Sequence, residues 1–288
     1  MPNRAPAAWI LVSSLLFATL SALVKVAATG VSLPEIVFFR TLPAAIGLFA
    51  LARMRGERVV TTHWKLHAMR CVVGVMTMFV GFYAISRLPL ATATTLEYTT
   101  PLFMLVYIVL FARGRLTLQM SLAMVGGFAG VVVLLRPTLD TGQTLAFFAA
   151  LCSAALAGMV YVLIRRLSEA GEPAWRIVMW NSLVATVVAA AIIPFSAPGD
   201  YNARTIAALA AVGIVGLGAQ LSMTRAFATG PATLLSSLQY STVAFAALYG
   251  VVLWGDVLST TSVFGLSLIV LSGVVALRRA GKPMHVES

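Results

Sequence analysis

A chain of 288 residues with 60% hydrophobic and only 10% charged residues has too few charges to clothe a water-soluble globule, where about a quarter would be usual. Its mean hydropathy of +0.96 points instead to a protein that crosses a bilayer several times. The net charge of +11 does not call for a nucleic-acid partner, because Lys and Arg sit in short clusters between apolar runs, the distribution that orients membrane segments.

Windows of about 20 residues predict ten spans, near 7 to 28, 33 to 53, 66 to 86, 89 to 111, 118 to 135, 145 to 165, 174 to 194, 205 to 226, 232 to 253 and 260 to 278. The fold class is therefore all-α integral membrane. The first run is too long for the apolar core of a cleaved signal and reads as a retained helix. Connections are short and marked by Pro or Gly, as at Pro34, Pro89, Pro137, Gly171 and Pro231. Arg53, Arg55, Arg58, Lys65 and Arg70 flank one connection, Arg113 and Arg115 another, and Arg165, Arg166 and Arg176 a third. These are alternate loops, so they and both termini are expected to be cytoplasmic, with the bacterial-type inner membrane as the location.

The chain repeats itself. An offset of 142 aligns Pro89 with Pro231, Leu96 with Leu238, Tyr98 with Tyr240, Thr100 with Thr242 and Tyr107 with Tyr249. The aligned segments are the fourth and ninth spans, so each repeat holds five helices, and an odd number inverts the second. The expected organisation is two inverted five-helix repeats, 1–140 and 141–288, forming one transport unit around a midplane site.

Span four carries the densest chemistry, in Leu96-Glu97-Tyr98-Thr99-Thr100-Pro101. Glu97 lies roughly 12 Å along the helix from Pro89, near mid-membrane, where an ionisable group is a functional-site hypothesis by default. Three roles stay open: carrying a coupling proton, facing a substrate ammonium, or pairing with Arg40, which lies about 9 Å past Pro34. Thr94, Glu97, Tyr98 and Pro101 share one helix face, and Ser236, Gln239 and Tyr240 are its counterpart on span nine. Pro101 is expected to bend its helix. Tyr83, Gln220, Trp180 and Asn181 are further polar tips within spans, each either lining a cavity or bonding helix to helix. Gly126 and Gly130 form a GxxxG pair assigned to internal packing, and a monomer is expected over a dimer.

Other chemistries lack their parts. Cys71 and Cys152 sit in apolar segments without metal or disulfide spacing and are expected to be buried. His63, His67 and His285 have no acidic or Cys partner at ligand spacing, so no metal and no cofactor is expected. No phosphate-binding GxxxxGK[ST] stretch is present, and a single deep carboxylate makes a poor active site, so no enzyme is expected.

Arg40 in Phe38-Phe39-Arg40, the Pro89-Leu90-Ala91-Thr92-Ala93 entry to span four, Pro101, Gly126-Gly127-Phe128-Ala129-Gly130-Val131, Pro231-Ala232 and Ser272-Gly273-Val274 together resemble the drug/metabolite transporter superfamily, in particular its ten-helix EamA-type branch. The resemblance implies a secondary transporter whose halves rock about a cavity lined by spans one, three, four, six, eight and nine. It also implies export of amino acids and related amphiphilic metabolites. The alternative is efflux of organic cations, with Glu97 and aromatic rings as the cation box. Anionic metabolites would want several basic groups in the cavity, and only Arg40 qualifies on sequence.

Overall fold

The structure is a computed structural model that describes residues 5–88, 90–112, 118–135, 142–255 and 259–280. Among these residues every regular element is helical. The first half contributes α1 (Ala5–Ala27), α2 (Leu33–Met54), α3 (Trp64–Arg87), α4 (Leu90–Glu97), α5 (Thr100–Ala112) and α6 (Leu118–Leu135). The second contributes α7 (Thr144–Glu169), α8 (Ala174–Ile192), α9 (Ala203–Thr229), α10 (Ala232–Gln239), α11 (Ser241–Trp254) and α12 (Thr260–Ala280), with a short 3-10 turn over Ile193–Phe195. Six apolar stretches are long enough to cross a bilayer, and large hydrophobics such as Leu110, Ile214 and Val252 face outward. That exterior suits hydrocarbon, and the protein is a multi-pass membrane protein.

The predicted fourth and ninth spans are each split at mid-depth. In span four Pro101 supplies no N–H, and the Glu97 carbonyl it leaves free accepts from the Thr100 hydroxyl at 2.7 Å, while Leu96 O accepts the Thr99 hydroxyl at 2.6 Å and its N–H at 3.0 Å. In span nine no proline is present. There the Ser241 hydroxyl donates to Leu238 O at 2.6 Å, and α11 restarts at once. The two breaks meet: the rings of Tyr98 and Tyr240 lie 6.4 Å apart.

The helices also correspond in position along the chain. α4 starts at Leu90 and α10 at Ala232, α6 at Leu118 and α12 at Thr260, each pair 142 residues apart. Packing follows the same correspondence, with α1 on α9 matched by α7 on α3, α1 on α11 by α7 on α5, and α1 on α10 by α7 on α4. α2 pairs with α8 and α6 with α12.

Two sets of loops are tied together, one at each end of the bundle. At one end, here the Gly30 face, Asp200 N–H donates to Gly30 O at 2.7 Å, and the Glu35 carboxylate accepts from Tyr201 at 2.5 Å and from Ser32 at 2.6 Å. At the other, the Thr61 face, Glu172 is 5% exposed and gathers the Thr61 hydroxyl, Arg176 at 2.9 Å and His67 Nε2 at 3.3 Å. Arg176 also donates to Arg58 O at 2.6 Å. His67 therefore has the acidic partner that its sequence neighbourhood did not reveal, because that partner comes from the α7–α8 connection. Among the described residues no group of three or more His, Cys, Asp or Glu stands at metal-binding distance. His285 lies outside the described residues.

Several sequence expectations change. Arg70 is not a loop charge: it is 3% exposed on α3. Cys71 is buried as expected but Cys152 is exposed, since in a membrane protein an apolar segment faces lipid as readily as core. Of the GxxxG pair only Gly130 is a close approach. A Cβ there would come within 2.7 Å of Gly265 O on α12, whereas one at Gly126 would meet nothing. The neighbouring Gly127 is the second contact point, against Tyr240 and Ser272.

Because backbone rather than a flexible side chain opposes a Cβ at Gly130, Gly130→Ala is expected to cost roughly 1–3 kcal/mol and Gly126→Ala almost nothing. Thermal unfolding of the two variants in detergent checks this. A second expectation concerns acid. Burial raises the Glu172 carboxyl, but hydrogen bonds from Thr61, Arg176 and His67 outweigh it and hold the group below the usual carboxylate range. The folded value then lies under the unfolded one, so the cluster's contribution is complete above about pH 5 and is lost as pH falls through the folded value. Glu172→Gln should melt lower at pH 7 and show a flatter decline between pH 6 and 3 than the unsubstituted protein.

Candidate functional site

Small residues at helical spacing open a space in the bundle. On α3 the face Arg70, Gly74, Thr77, Gly81, Ala84 recurs every three or four residues, and on α7 Ala150, Ser153, Ala157, Tyr161 does the same. With Arg40 and Ala44 of α2, Glu97 of α4, Asn181 and Ala185 of α8, and Gly216 and Gln220 of α9, they line a cavity of about 250 Å³. Replacing the glycines and alanines by leucine would fill it.

The charged groups are placed by specific features. Arg40 lays its stem on Gly216, where a Cβ would come within 3.0 Å of Arg40 Cγ, and its guanidinium stands 5.9 Å from the Phe17 ring. Gly213, one turn earlier on α9, accommodates Pro43 of α2 in the same way. Arg70 folds back along α3 over Gly74, where a Cβ would sit 2.3 Å from Nη1, and that nitrogen donates to Asn181 Oδ1 at 2.8 Å. Glu97 ends α4 and is exposed although it lies inside the bundle, because the cavity reaches it. Glu97 attracts Arg40, but they do not form a direct ion pair. Tyr161 packs flat on Phe227 at 4.2 Å and takes a 2.5 Å hydrogen bond from Gln239 Nε2.

The core packs differently at the two ends of the cavity. Towards the Thr61 face one cluster of Ile10, Tyr161, Ile164, Leu167, Ile177, Phe227, Leu235 and Leu238 spans both halves of the chain, with α10 sunk in it, and a second of Ala44, Leu48, Val178 and Met179 lies on α2 and α8. Towards the Gly30 face the core is divided. Leu20, Val31, Ile36 and Leu209 form one cluster on α1, α2 and α9, while Ala84, Leu88, Ala93 and Ala146 form another on α3, α4 and α7. The half-helices differ accordingly: α10 packs on α5 and α6, but among the described residues α4 has no matching packing on α11 or α12.

Of the residues singled out by sequence, Arg40, Glu97, Asn181 and Gln220 line the cavity. Gln239 touches it through Tyr161. Tyr98 and Tyr240 pack at the helix breaks, with Tyr240 wholly buried in the core beside Val131 and Ile269. Ser236 is buried within α10 without a hydrogen-bond partner. Tyr83 is 39% exposed with Arg87 over its ring, and Trp180 donates to Val59 O at 3.3 Å. Pro101 is buried in the first turn of α5. The Thr94 side chain lies outside the described residues. Spans two and seven, through Arg40 and Asn181, line the cavity where spans one and nine were expected. Sequence reasoning missed Tyr161 and Arg70. Glycine four residues after a flanking arginine was the available signal for the second.

Comparison with known proteins accords with this architecture. The sequence model described as the EamA-like transporter family matches residues 5–136 and 144–278. A pseudopaline exporter of Pseudomonas aeruginosa, CntI, is 30% identical over 94% of this chain and 94% of its own. An uncharacterized transporter of Helicobacter pylori is 27% identical over 92% of both, and a riboflavin transporter of Brucella anthropi 23% identical over 87% of this chain and 90% of its own. A solved crystal structure at 22% identity superposes with a TM-score of 0.85 over 98% of this chain and all of its own, which shows a common fold. With the family match covering nearly the whole described chain, this protein belongs to the EamA-like transporter family, a group of membrane transporters within the drug/metabolite transporter superfamily.

Proposed function

We propose that the protein exports amino acids and related small amphiphilic zwitterions across a bacterial inner membrane by alternating access. The observation that carries the reading is the cavity itself, in which Arg40, Arg70, Glu97, Asn181, Gln220 and Tyr161 meet inside a bundle with an apolar exterior. Opposite charges separated by apolar wall, from Met78, Val160 and Met223, suit a solute with charged ends and an apolar stem. The exporter among the relatives supports the direction.

Alternating access is read from unequal halves. Ten spans, two of them broken, make two five-helix repeats of opposite orientation, 1–140 and 141–288, consistent with the family match falling into two stretches. If the repeats exchanged conformations, α4 would sink as α10 does now and the Gly30 face would close as the Thr61 face opened. The positive-inside distribution of the basic loops supports a cytoplasmic Thr61 face with both termini on that side, and on that orientation this conformation is outward-open. One chain holds the whole cavity, which supports a functional monomer. Arg40 and Arg70 count against the organic-cation alternative, because like charges repel a cation in a low-dielectric cavity.

Uptake of labelled amino acids into proteoliposomes, with and without an imposed pH gradient, tests the reading. Saturable, competed uptake is expected, reduced at least about tenfold by Glu97→Gln, since a buried charged contact is worth roughly 1.5–3 kcal/mol. Gradient acceleration lost in the variant would make Glu97 the proton carrier; gradient-independent uptake would make it a binding group. Normal uptake at normal yield in the variant would remove Glu97 from the site.

A further inference from the structure

Among the described residues, the charges lining the cavity are two arginines and one glutamate. Arg70 has the least compensation. It is 3% exposed, forms no ion pair with a carboxylate, spends one guanidinium N–H on Asn181, and its Nε reaches no acceptor. A guanidinium offers five donors in a planar fork that fits a carboxylate, and leaving it inside a membrane protein with one neutral partner is costly. Structural use alone explains this poorly, because an amide or hydroxyl at position 70 would link α3 to Asn181 without burying a charge. Gly74 adds a second, independent sign: the turn that follows is kept bare so that the guanidinium can lie against α3 and border the cavity.

We infer that Arg70, held by Asn181 over Gly74, is a carboxylate-recognition subsite, and that the transported solute carries more carboxylate than ammonium. The inference rests on the transporter reading above and narrows it. A solute complementary to the lining has one ammonium for Glu97 and two carboxylates for Arg40 and Arg70, the pattern of an amino dicarboxylic acid or an N-carboxyalkyl amino acid. Its apolar stem lies along Met78, Val160 and Met223. Such a solute would bring the cavity to electrical neutrality, which a neutral amino acid would not.

The test is binding of three probes to the purified full-length protein, 2-aminoadipate, leucine and putrescine, measured by competition and by thermal stabilisation. The unsubstituted protein is expected to prefer 2-aminoadipate over leucine by at least about tenfold, the usual worth of one charged hydrogen-bonded contact. In Arg70→Gln that ratio should fall towards one while putrescine binds more tightly, because a repelling cation has gone. Opposite movement of acid and amine is a result that general structural damage does not produce. Gly74→Ala should also reduce the ratio with the charge retained, and Arg70→Lys should keep part of it. An unchanged ratio in Arg70→Gln, or parallel loss of all three probes, overturns the subsite and leaves the transport reading standing. If the unsubstituted protein binds leucine or putrescine better than 2-aminoadipate, the assignment of solute charge is wrong. If it binds none of the three, the amino-acid transport reading falls and this inference with it.

Discussion

Keeping lipid off three charged side chains is the constraint from which the rest of this structure follows. Arg40, Arg70 and Glu97 stand on helices whose outer faces are apolar, and each would cost roughly 3 kcal/mol at the centre of a bilayer. A cavity keeps lipid from all three and opens Glu97 to water, while Arg70, 3% exposed, has Asn181 as its hydrogen-bond partner. The cavity needs room, and the room comes from Gly74, Gly81 and Ala84 on α3, Ala150 and Ala157 on α7, and Gly216 on α9. Glycine therefore serves two ends here, as space for solute and as a bed for an arginine stem.

The same constraint accounts for the broken helices. A continuous fourth span would carry Glu97 through mid-membrane with its backbone fully paired. Ending α4 at Glu97 instead puts the carboxylate at a helix terminus, beside carbonyls that Thr99 and Thr100 must satisfy. The ninth span breaks at the matching place, yet its half-helix is buried while α4 borders the cavity. Equivalent elements in unequal surroundings are the observation on which the proposed alternating-access reading rests. The Glu172 cluster and the Glu35 cluster tie the loops at opposite ends; at the Glu172 end one core cluster reaches from α1 across α7 to α10, whereas at the Glu35 end the clusters on α1, α2 and α9 and on α3, α4 and α7 are separate.

Much of this was legible in the sequence. The apolar runs marked the six stretches long enough to cross a bilayer, and Glu97, Arg40, Asn181 and Gln220 declared themselves as polar groups where polar groups are expensive. Pro101 marked one helix break. The other break had only Ser241 and Thr242 to announce it, residues too common in membrane helices to be read that way. The repeated tyrosines, Tyr98 and Tyr240, meet where the two helices break and pack in one core cluster there. Arg70 was hidden by company: five basic residues flank one connection, and only the fold separates those in the loop from the one drawn inward. His67 was hidden for a related reason, since its carboxylate partner is over a hundred residues away.

The claim on which the account depends most is that the cavity is reached from the Gly30 face and sealed at the Thr61 face. A single cysteine at Gln220, in a protein with Cys71 and Cys152 replaced by alanine, reports on it through its labelling by a membrane-impermeant maleimide added to one side of oriented vesicles. Fast labelling from the Gly30 side is expected, with protection by bound solute and slow labelling from the Thr61 side that speeds up only during transport. Labelling mainly from the Thr61 side, or none from either, would contradict it.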